Sequence, residues 1–222
     1  MNPRVLFLDN EFIPANDQLV KRLTPGVLKA RGVFETMRVY PMGKEGRKGK
    51  IFGLQEHFSR LKRGLKILQL ESPLSQKQMQ EALERVLFFF AQRMERNVAS
   101  KQYSAPRRII AAKSGFAINS NHFINARVRF IIWQDDRREK VHAAVMASAY
   151  DPFPAAQYRK GFKVIISKTK LAAVSLLKEV KSLDCVPFLQ AYRRAKARGY
   201  DEALLLNHRG EVVEGSCSNI FF

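Results

Sequence analysis

The sequence predicts an α/β protein, more closely an α+β fold in two domains, and three features of the chain indicate this class. Its 222 residues, of which 46% are hydrophobic and 27% charged, are enough for one large core or two smaller ones. Strand-like segments rich in β-branched and aromatic residues alternate with helix-like stretches. The charged string QDDRREK at residues 134–140 lies between two strand-like segments, as a linker would. We therefore expect a small N-terminal domain at 1–134, a linker at 135–140 and a second domain at 141–222.

The first strands are predicted by composition and by alternation. Residues 5–13 are rich in bulky apolar side chains, and residues 32–40 alternate apolar with polar side chains. A turn with several glycines and lysines follows and leads into IFGL. Residues 33–54 are therefore expected to form a long hairpin with a basic tip.

Two amphipathic helices are expected after this hairpin. Apolar residues recur at steps of three and four from Leu54 to Leu68, which places them on one helix face. The second helix begins near Ser75, because Ser75 and Gln78 have the spacing of a capping box. The apolar faces of both helices are expected to lie in the core.

The rest of the chain returns to strands, with one further helix. Four more segments are strand-like, at residues 107–115, 125–133, 141–150 and 161–167. A helix then begins around Asp184, whose side chain is placed to cap it, with Pro187 in the first turn and Gly199 at the end. Two short strands joined by a turn at residues 207–210 follow.

The formal net charge of +19 is the one abnormal bulk property. Such a charge would attract nucleic acid, anionic lipid or an anionic small molecule. The basic residues are spread along the chain, and no RNP-like aromatic motif, basic zipper or zinc finger accompanies them. A nucleic-acid-binding protein is therefore only a distant alternative.

Membrane-spanning, secreted and metal-binding proteins are not expected from this sequence. The longest unbroken apolar run, residues 86–91, is much shorter than the about 20 residues that span a bilayer. The N-terminal apolar run reaches Asp9 too early for a secretory signal, so a cytoplasmic location is the default. Cys185 and Cys217 form no CxxC pair and have no histidine at ligand spacing, so we expect no metal site and two free thiols.

Three blocks of sequence stand in a fixed order along the chain. They are GVFETMRVY with KIFGLQEHFSRL, then KSLDCVPFLQAYRRAKARGYDEALLLN, and finally GEVVEGSCSNIFF. Together they resemble the class IV aminotransferases, the pyridoxal-phosphate (PLP) enzymes of fold type IV. The first block is similar to the family's small-domain hairpin and first helix, the second to its lysine segment and the third to its glutamate segment. The resemblance implies a D-amino acid aminotransferase-like fold, PLP as cofactor, a small anionic amino-acid-like substrate and a homodimer.

The resemblance also implies roles for individual residues. Lys181, three residues before Asp184, matches the lysine that forms the Schiff base with PLP, and Lys178 is then a solvated lysine. Arg60 matches the phosphate-binding arginine, and Glu214 matches the carboxylate on the pyridine nitrogen. Each residue type suits its role: a desolvated lysine loses its proton readily, a guanidinium binds phosphate in a fork, and a carboxylate keeps the ring nitrogen protonated.

Within the family, the block GVFETMR looks most like the 4-amino-4-deoxychorismate lyases, which form 4-aminobenzoate and pyruvate for folate synthesis. Cys185 stands where branched-chain aminotransferases carry a tyrosine. The expected function is therefore this lyase reaction, with a branched-chain or D-amino acid aminotransferase, or an inactive family member, as alternatives. Arg38 and Lys113 are candidate contacts for substrate carboxylates, and Lys113 stands in place of an arginine usual in the family.

Related enzymes continue well beyond the SNIFF motif, with which this chain ends at Phe222. The resemblance therefore implies a truncated family member whose larger, PLP-binding domain is incomplete. Because the part that follows SNIFF in the family supplies backbone amides to the PLP phosphate, its absence would weaken PLP binding.

Overall fold

A computed structural model describes residues 4–9, 11–15, 31–42, 48–99, 118–119, 125–135, 139–171 and 180–221. These residues form ten strands and four helices. The strands are β1 Arg4–Leu8, β2 Glu11–Ala15, β3 Arg31–Met42, β4 Lys48–Ile51, β5 Ile118–Asn119, β6 Ala126–Gln134, β7 Val141–Ala149, β8 Val164–Leu171, β9 Glu202–Asn207 and β10 Val212–Gly215. The helices are α1 Leu54–Ile67, α2 Gln76–Ala99, α3 Ala155–Lys160 and α4 Val186–Ala197.

The strands form two sheets. The larger sheet has the order β2-β1-β7-β6-β3-β4-β5, and all its neighbouring strands are antiparallel. The smaller sheet has the order β10-β9-β8, with β8 parallel to β9 and β10 antiparallel to it. Parallel neighbours need a crossover connection, and α4 lies in the connection between β8 and β9.

The main core lies between one face of the larger sheet and the first two helices. Helix α1 packs on β3, and α2 packs on β1 and β7. Alternate residues of β3 point into this core, among them Val33, Met37 and Val39, which are at most 1% exposed. The intervening residues of β3, from Phe34 onward, face the opposite side of the sheet, where the candidate site lies.

The N-terminal segment forms two strands where the sequence predicts one. Strands β1 and β2 are antiparallel neighbours, with Leu8 opposite Glu11, so the chain reverses within residues 5–13. Asp9 makes this turn with a φ of 44°, a left-handed conformation that aspartate tolerates better than most residues. Continuous apolar character hid the turn, because the side chains on both strands are bulky.

The charged string at residues 134–140 is a hairpin turn, so its interpretation as a domain linker is wrong. Strands β6 and β7 pair along their whole length, from Ala126 opposite Ala149 to Gln134 opposite Val141. The strand at 141–149 therefore belongs to the first sheet, and the chain leaves that sheet only after Ala149. Charge marks exposure to solvent, which hairpin turns and linkers share. The prediction of a second domain beginning at residue 141 is corrected accordingly.

The second and third predicted helices form, with one difference in capping. The capping box before α2 is confirmed: Gln78 N donates to Ser75 Oγ at 3.3 Å, and Ser75 N donates to Gln78 Oε1 at 2.8 Å. Helix α4 has its proline in the first turn and is followed by Gly199 at a φ of 77°. Asp184 does not cap α4, because the N-cap residue is Cys185 and no side-chain hydrogen bond caps the helix.

Two predicted features are reached only in part. The hairpin at 33–54 is confirmed where β3 pairs with β4, although residues 43–47 of its tip lie outside the described residues. The strand expected at 107–115 also lies outside them. In the described part of the chain, no helix has the length and apolar character needed to cross a bilayer.

Candidate functional site

The segment that carries Lys181 adds to the free edge of β3. Strand β4 pairs only with the second half of β3, from Val39 onward, so the first half keeps unpaired backbone groups on that side. Phe34 N donates to Lys181 O at 2.9 Å, and Leu183 N donates to Gly32 O at 2.9 Å. These two backbone bonds fix Lys181 beside Phe34, just before helix α4 begins.

The Lys181 side chain lies in a cleft that is accessible to solvent but crowded by protein. The residue is exposed, and its Nζ lies 5.5 Å from the centroid of the Phe34 ring. Burial is the largest influence and lowers the pKa of Lys181. The charges of Arg60 and Arg129 lower it further, and these effects together outweigh the opposing carboxylates. The neutral amine is therefore more populated at a given pH than in an ordinary lysine.

Glu214 is one of the two carboxylates that act on Lys181. It lies on β10, is half-buried, and has no hydrogen-bond partner or ion pair among the described residues. Burial raises the pKa of Glu214, and the positive charge of Lys181 offsets only part of that rise. Glu214 is therefore a carboxylate without a fixed partner, at a position where a cationic group would stabilise it.

The loop after Glu214 is held by a second acidic residue, Glu202 on β9. Glu202 is 5% exposed and accepts hydrogen bonds from Ser218 Oγ at 2.9 Å and from the Cys217 backbone N–H at 3.1 Å. Ser216 Oγ also donates to Glu202. The buried carboxylate thus satisfies its acceptors within one short loop and fixes the end of β10.

Arg60, on α1, is bound by a buried carboxylate. Its Nε and Nη2 donate to Glu35 Oε1 and Oε2 at 2.5 and 2.6 Å, and His57 Nδ1 lies 2.8 Å from Glu35 Oε2. Burial alone would raise the pKa of Glu35, but the hydrogen bonds of Arg60 and His57 outweigh it and lower that pKa. The Glu35 side chain is 1% exposed and the Arg60 side chain 41% exposed. Glu35 therefore orients a guanidinium that still has open donors.

A further arginine, Arg129 on β6, reaches the same cleft from the opposite face of β3. Its Cζ lies 5.2 Å from the centroid of the Phe34 ring, which also carries Lys181. Burial lowers the pKa of Arg129, and the positive charge of Arg127 adds to this effect. Two cations therefore share one aromatic ring.

The family is decided by a match to the family model for class IV amino-transferases, which covers residues 32–222. The chain belongs to the class IV aminotransferase family. Among its relatives is a probable branched-chain-amino-acid aminotransferase of Rickettsia bellii, 26% identical over 220 residues, which are 98% of this chain and 64% of the relative. A putative branched-chain-amino-acid aminotransferase of Methanocaldococcus jannaschii is 26% identical over 223 residues, with 97% and 64% covered.

Solved structures show the same fold. A thermophile branched-chain amino acid aminotransferase with pyridoxamine 5'-phosphate, from the source abbreviated T.th., has a TM-score of 0.69 at 22% identity, covering 96% of this chain and 63% of that one. One from Thermoproteus uzoniensis with norvaline has a TM-score of 0.64 at 21% identity, covering 97% and 63%. The predicted fold type IV is confirmed, and this chain spans about two thirds of these aminotransferases' length.

Three of the predicted site residues of this class IV aminotransferase come together. They are Lys181, Arg60 and Glu214, because the charges of Arg60 and Glu214 both act on the Lys181 amine. Lys113 and Lys178 lie outside the described residues.

Arg38 lies apart from this group. Its guanidinium donates to Asn125 Oδ1 at 2.9 Å and lies over the rings of two tyrosines, Tyr40 and Tyr150. These contacts hold the Arg38 side chain at the far end of β3 from Phe34, so its prediction as a substrate contact gains no support from the geometry.

Sequence reasoning missed three residues of the site, namely Glu35, Glu202 and Arg129. A signal existed for Glu35, which falls on the buried face of β3 between Val33 and Met37. A carboxylate at such a position needs a cationic partner. For Glu202 and Arg129 the sequence carries no comparable signal, because their partners come from distant segments of the chain.

Proposed function

We propose that this chain forms the PLP site of an aminotransferase that acts on amino acids with an aliphatic side chain. One observation carries the proposal: a lysine amine with a lowered pKa stands among two carboxylates and two guanidinium groups. The named relatives are branched-chain aminotransferases and support this reaction better than the lyase reaction. Because the chain spans 64% of these relatives, its own activity is part of the proposal.

The charges around the cleft fit the polar groups of PLP. Glu214 has no partner among the described residues and has a raised pKa, so a protonated pyridine nitrogen would complement its charge. Arg60 spends two of its five N–H donors on Glu35, which leaves donors for a phosphate. Lys181 is the amine that would hold the cofactor covalently. When bound, PLP supplies an aldehyde and an electron-withdrawing ring that stabilises negative charge on the substrate carbon.

Lys181 has two tasks in such a site. Its lowered pKa increases the fraction of neutral amine, which is the nucleophilic form. Once the substrate amine has replaced it, the free Nζ is a base that accepts the proton from the substrate α carbon and returns it elsewhere. The backbone bonds to β3 hold the base of this side chain in place during both tasks.

An apolar surface beside Lys181 supports an aliphatic substrate. A second hydrophobic cluster lies on the face of the larger sheet away from α1 and α2, and Leu183 closes it. Phe34, Ile131 and Met146 pack against this cluster and are only partly buried. A substrate side chain that covered them would remove further apolar surface from water, at about 25 cal/mol per Å².

Two assays separate the aminotransferase from the 4-amino-4-deoxychorismate lyase. The purified chain with PLP is expected to transfer the amino group of a branched-chain amino acid to an added keto acid, and Lys181→Ala is expected to abolish the transfer. Pyruvate release from 4-amino-4-deoxychorismate without a keto acid would instead establish the lyase. The same preparation also tests the homodimer that we propose, by its mass in solution.

A further inference from the structure

We infer that Arg129 binds the carboxylate of the amino-acid substrate while Lys181 acts on the neighbouring α carbon. This inference rests on the proposed function for the identity of the ligand. The anion site itself rests on the contacts of Arg129, which belongs to no motif of the sequence.

Arg129 and Lys181 converge on one small region. The Arg129 Cζ and the Lys181 Nζ lie 5.2 and 5.5 Å from the centroid of the same ring, that of Phe34. Both distances fall in the range of a cation–π contact. The two charges are therefore close enough for one amino acid to reach both, with its amine toward Lys181 and its carboxylate toward Arg129.

Arg129 has no anion to balance its charge. Among the described residues no carboxylate lies within ion-pair distance of it, and its Nε contacts only Thr36 Oγ1, at 3.4 Å. Burial raises the pKa of both neighbouring thiols, Cys185 and Cys217, so they remain neutral at neutral pH. Arg127, two residues earlier on the same face of β6, adds a second positive charge.

The position of Arg129 favours a carboxylate over the cofactor phosphate. Arg60 binds Glu35, whose side chain points to the core face of β3, whereas Phe34 and Thr36 point to the opposite face. Arg129 lies with Phe34 and Thr36. Two guanidinium groups thus flank β3 on opposite sides, so each can hold a different anion near Lys181.

The consequence is selectivity for substrates with a carboxylate next to the amine. A guanidinium binds a carboxylate through two parallel N–H donors, which fixes orientation as well as charge. Amines without that carboxylate would leave Arg129 desolvated and unpaired, and would bind less tightly.

Binding of an unreactive carboxylate tests this assignment directly. The probe is 4-methylvalerate, titrated calorimetrically into the full chain with PLP, and the neutral 4-methylpentanamide is the isosteric comparison. Arg129→Gln is expected to weaken 4-methylvalerate binding by roughly 10- to 100-fold, the loss for a hydrogen-bonded charge pair. Arg129→Lys is expected to recover part of the affinity. Arg193→Gln, an exposed arginine on α4, removes the same charge elsewhere and is expected to leave affinity unchanged.

Covalent PLP attachment, measured on the same proteins after borohydride reduction, separates this inference from the proposed function. Equal 4-methylvalerate affinity in wild type and Arg129→Gln, or no binding to wild type, overturns the inference whether or not PLP attaches. Loss of PLP attachment in Arg129→Gln with unchanged 4-methylvalerate affinity also overturns it, and assigns Arg129 to the phosphate. Arg129-dependent binding without PLP attachment in wild type supports the carboxylate site and refutes the cofactor.

Discussion

The buried ion pair between Glu35 and Arg60 is expected to contribute measurably to the stability of the first sheet. Glu35→Gln keeps the size of the side chain but removes its charge, and an amide nitrogen then faces one of the two Arg60 donors. Breaking a buried ion pair costs about 3 to 5 kcal/mol. Because 41% of the Arg60 side chain is exposed, water can resolvate the freed guanidinium, and we expect a lower cost of about 2 to 3 kcal/mol.

Urea unfolding of the purified variants measures this cost. Glu56→Gln, which removes an exposed carboxylate from the first turn of α1, is the matched control and is expected to change the free energy of unfolding by less than about 0.5 kcal/mol. A double-mutant cycle of Glu35→Gln with Arg60→Gln is expected to give a coupling energy above about 1 kcal/mol. A Glu35→Gln protein as stable as Glu56→Gln, or a coupling energy near zero, would refute the assignment of this pair.

Three further outcomes follow from the same contacts. Arg129→Gln is expected to raise the pKa of Lys181, because a nearby positive charge is removed; the pH dependence of Lys181 acylation, followed by mass spectrometry, measures this, and an unchanged or lower pKa would contradict it. Since the folded-state pKa of Glu35 is lowered, its contribution to stability is present above its unfolded pKa of about 4.3 and is lost as pH falls through the folded value; unfolding from pH 7 to pH 3 should show the gap between wild type and Glu35→Gln closing at acid pH, and a constant gap would argue against it. Gly215→Ala would place a Cβ against Ser218 Oγ and 3.0 Å from Ser218 O, so a loss of about 1 to 3 kcal/mol is expected in thermal unfolding, and a neutral effect would show that the loop moves freely.

Local patterns predicted the helices of this fold well. Steps of three and four in apolar residues gave the extent of α1, and the capping box at Ser75 and Gln78 gave the start of α2. Each of these signals depends on residues within one or two turns of each other. The chain alone therefore contains the information that the prediction needs.

Turns between strands were harder to predict, for a physical reason. The reversal at Asp9 carries no glycine or proline, and the charged turn between β6 and β7 has the same exposed composition as a linker. Whether a charged segment joins two paired strands or two domains depends on the pairing of the strands on either side. That pairing is a property of the whole sheet.

The candidate site was predicted only where a motif carries it. Lys181 and Glu214 were placed by the resemblance of their segments, and the structure brings their charges together. Arg129 comes from a strand without a motif, and its approach to Lys181 depends on a segment that crosses the edge of β3. Arg38 looked equally suitable in the sequence, yet its guanidinium stacks on tyrosines away from the lysine.

Covalent attachment of PLP to one lysine tests the central claim most directly. The full chain would be incubated with PLP, reduced with borohydride, digested, and the modified peptide identified by mass spectrometry, for wild type, Lys181→Ala and Lys178→Ala. We predict stoichiometric modification at Lys181 in wild type and in Lys178→Ala, and none in Lys181→Ala. Modification spread over many surface lysines, or persisting in Lys181→Ala, would contradict the assignment of this cleft as the cofactor site.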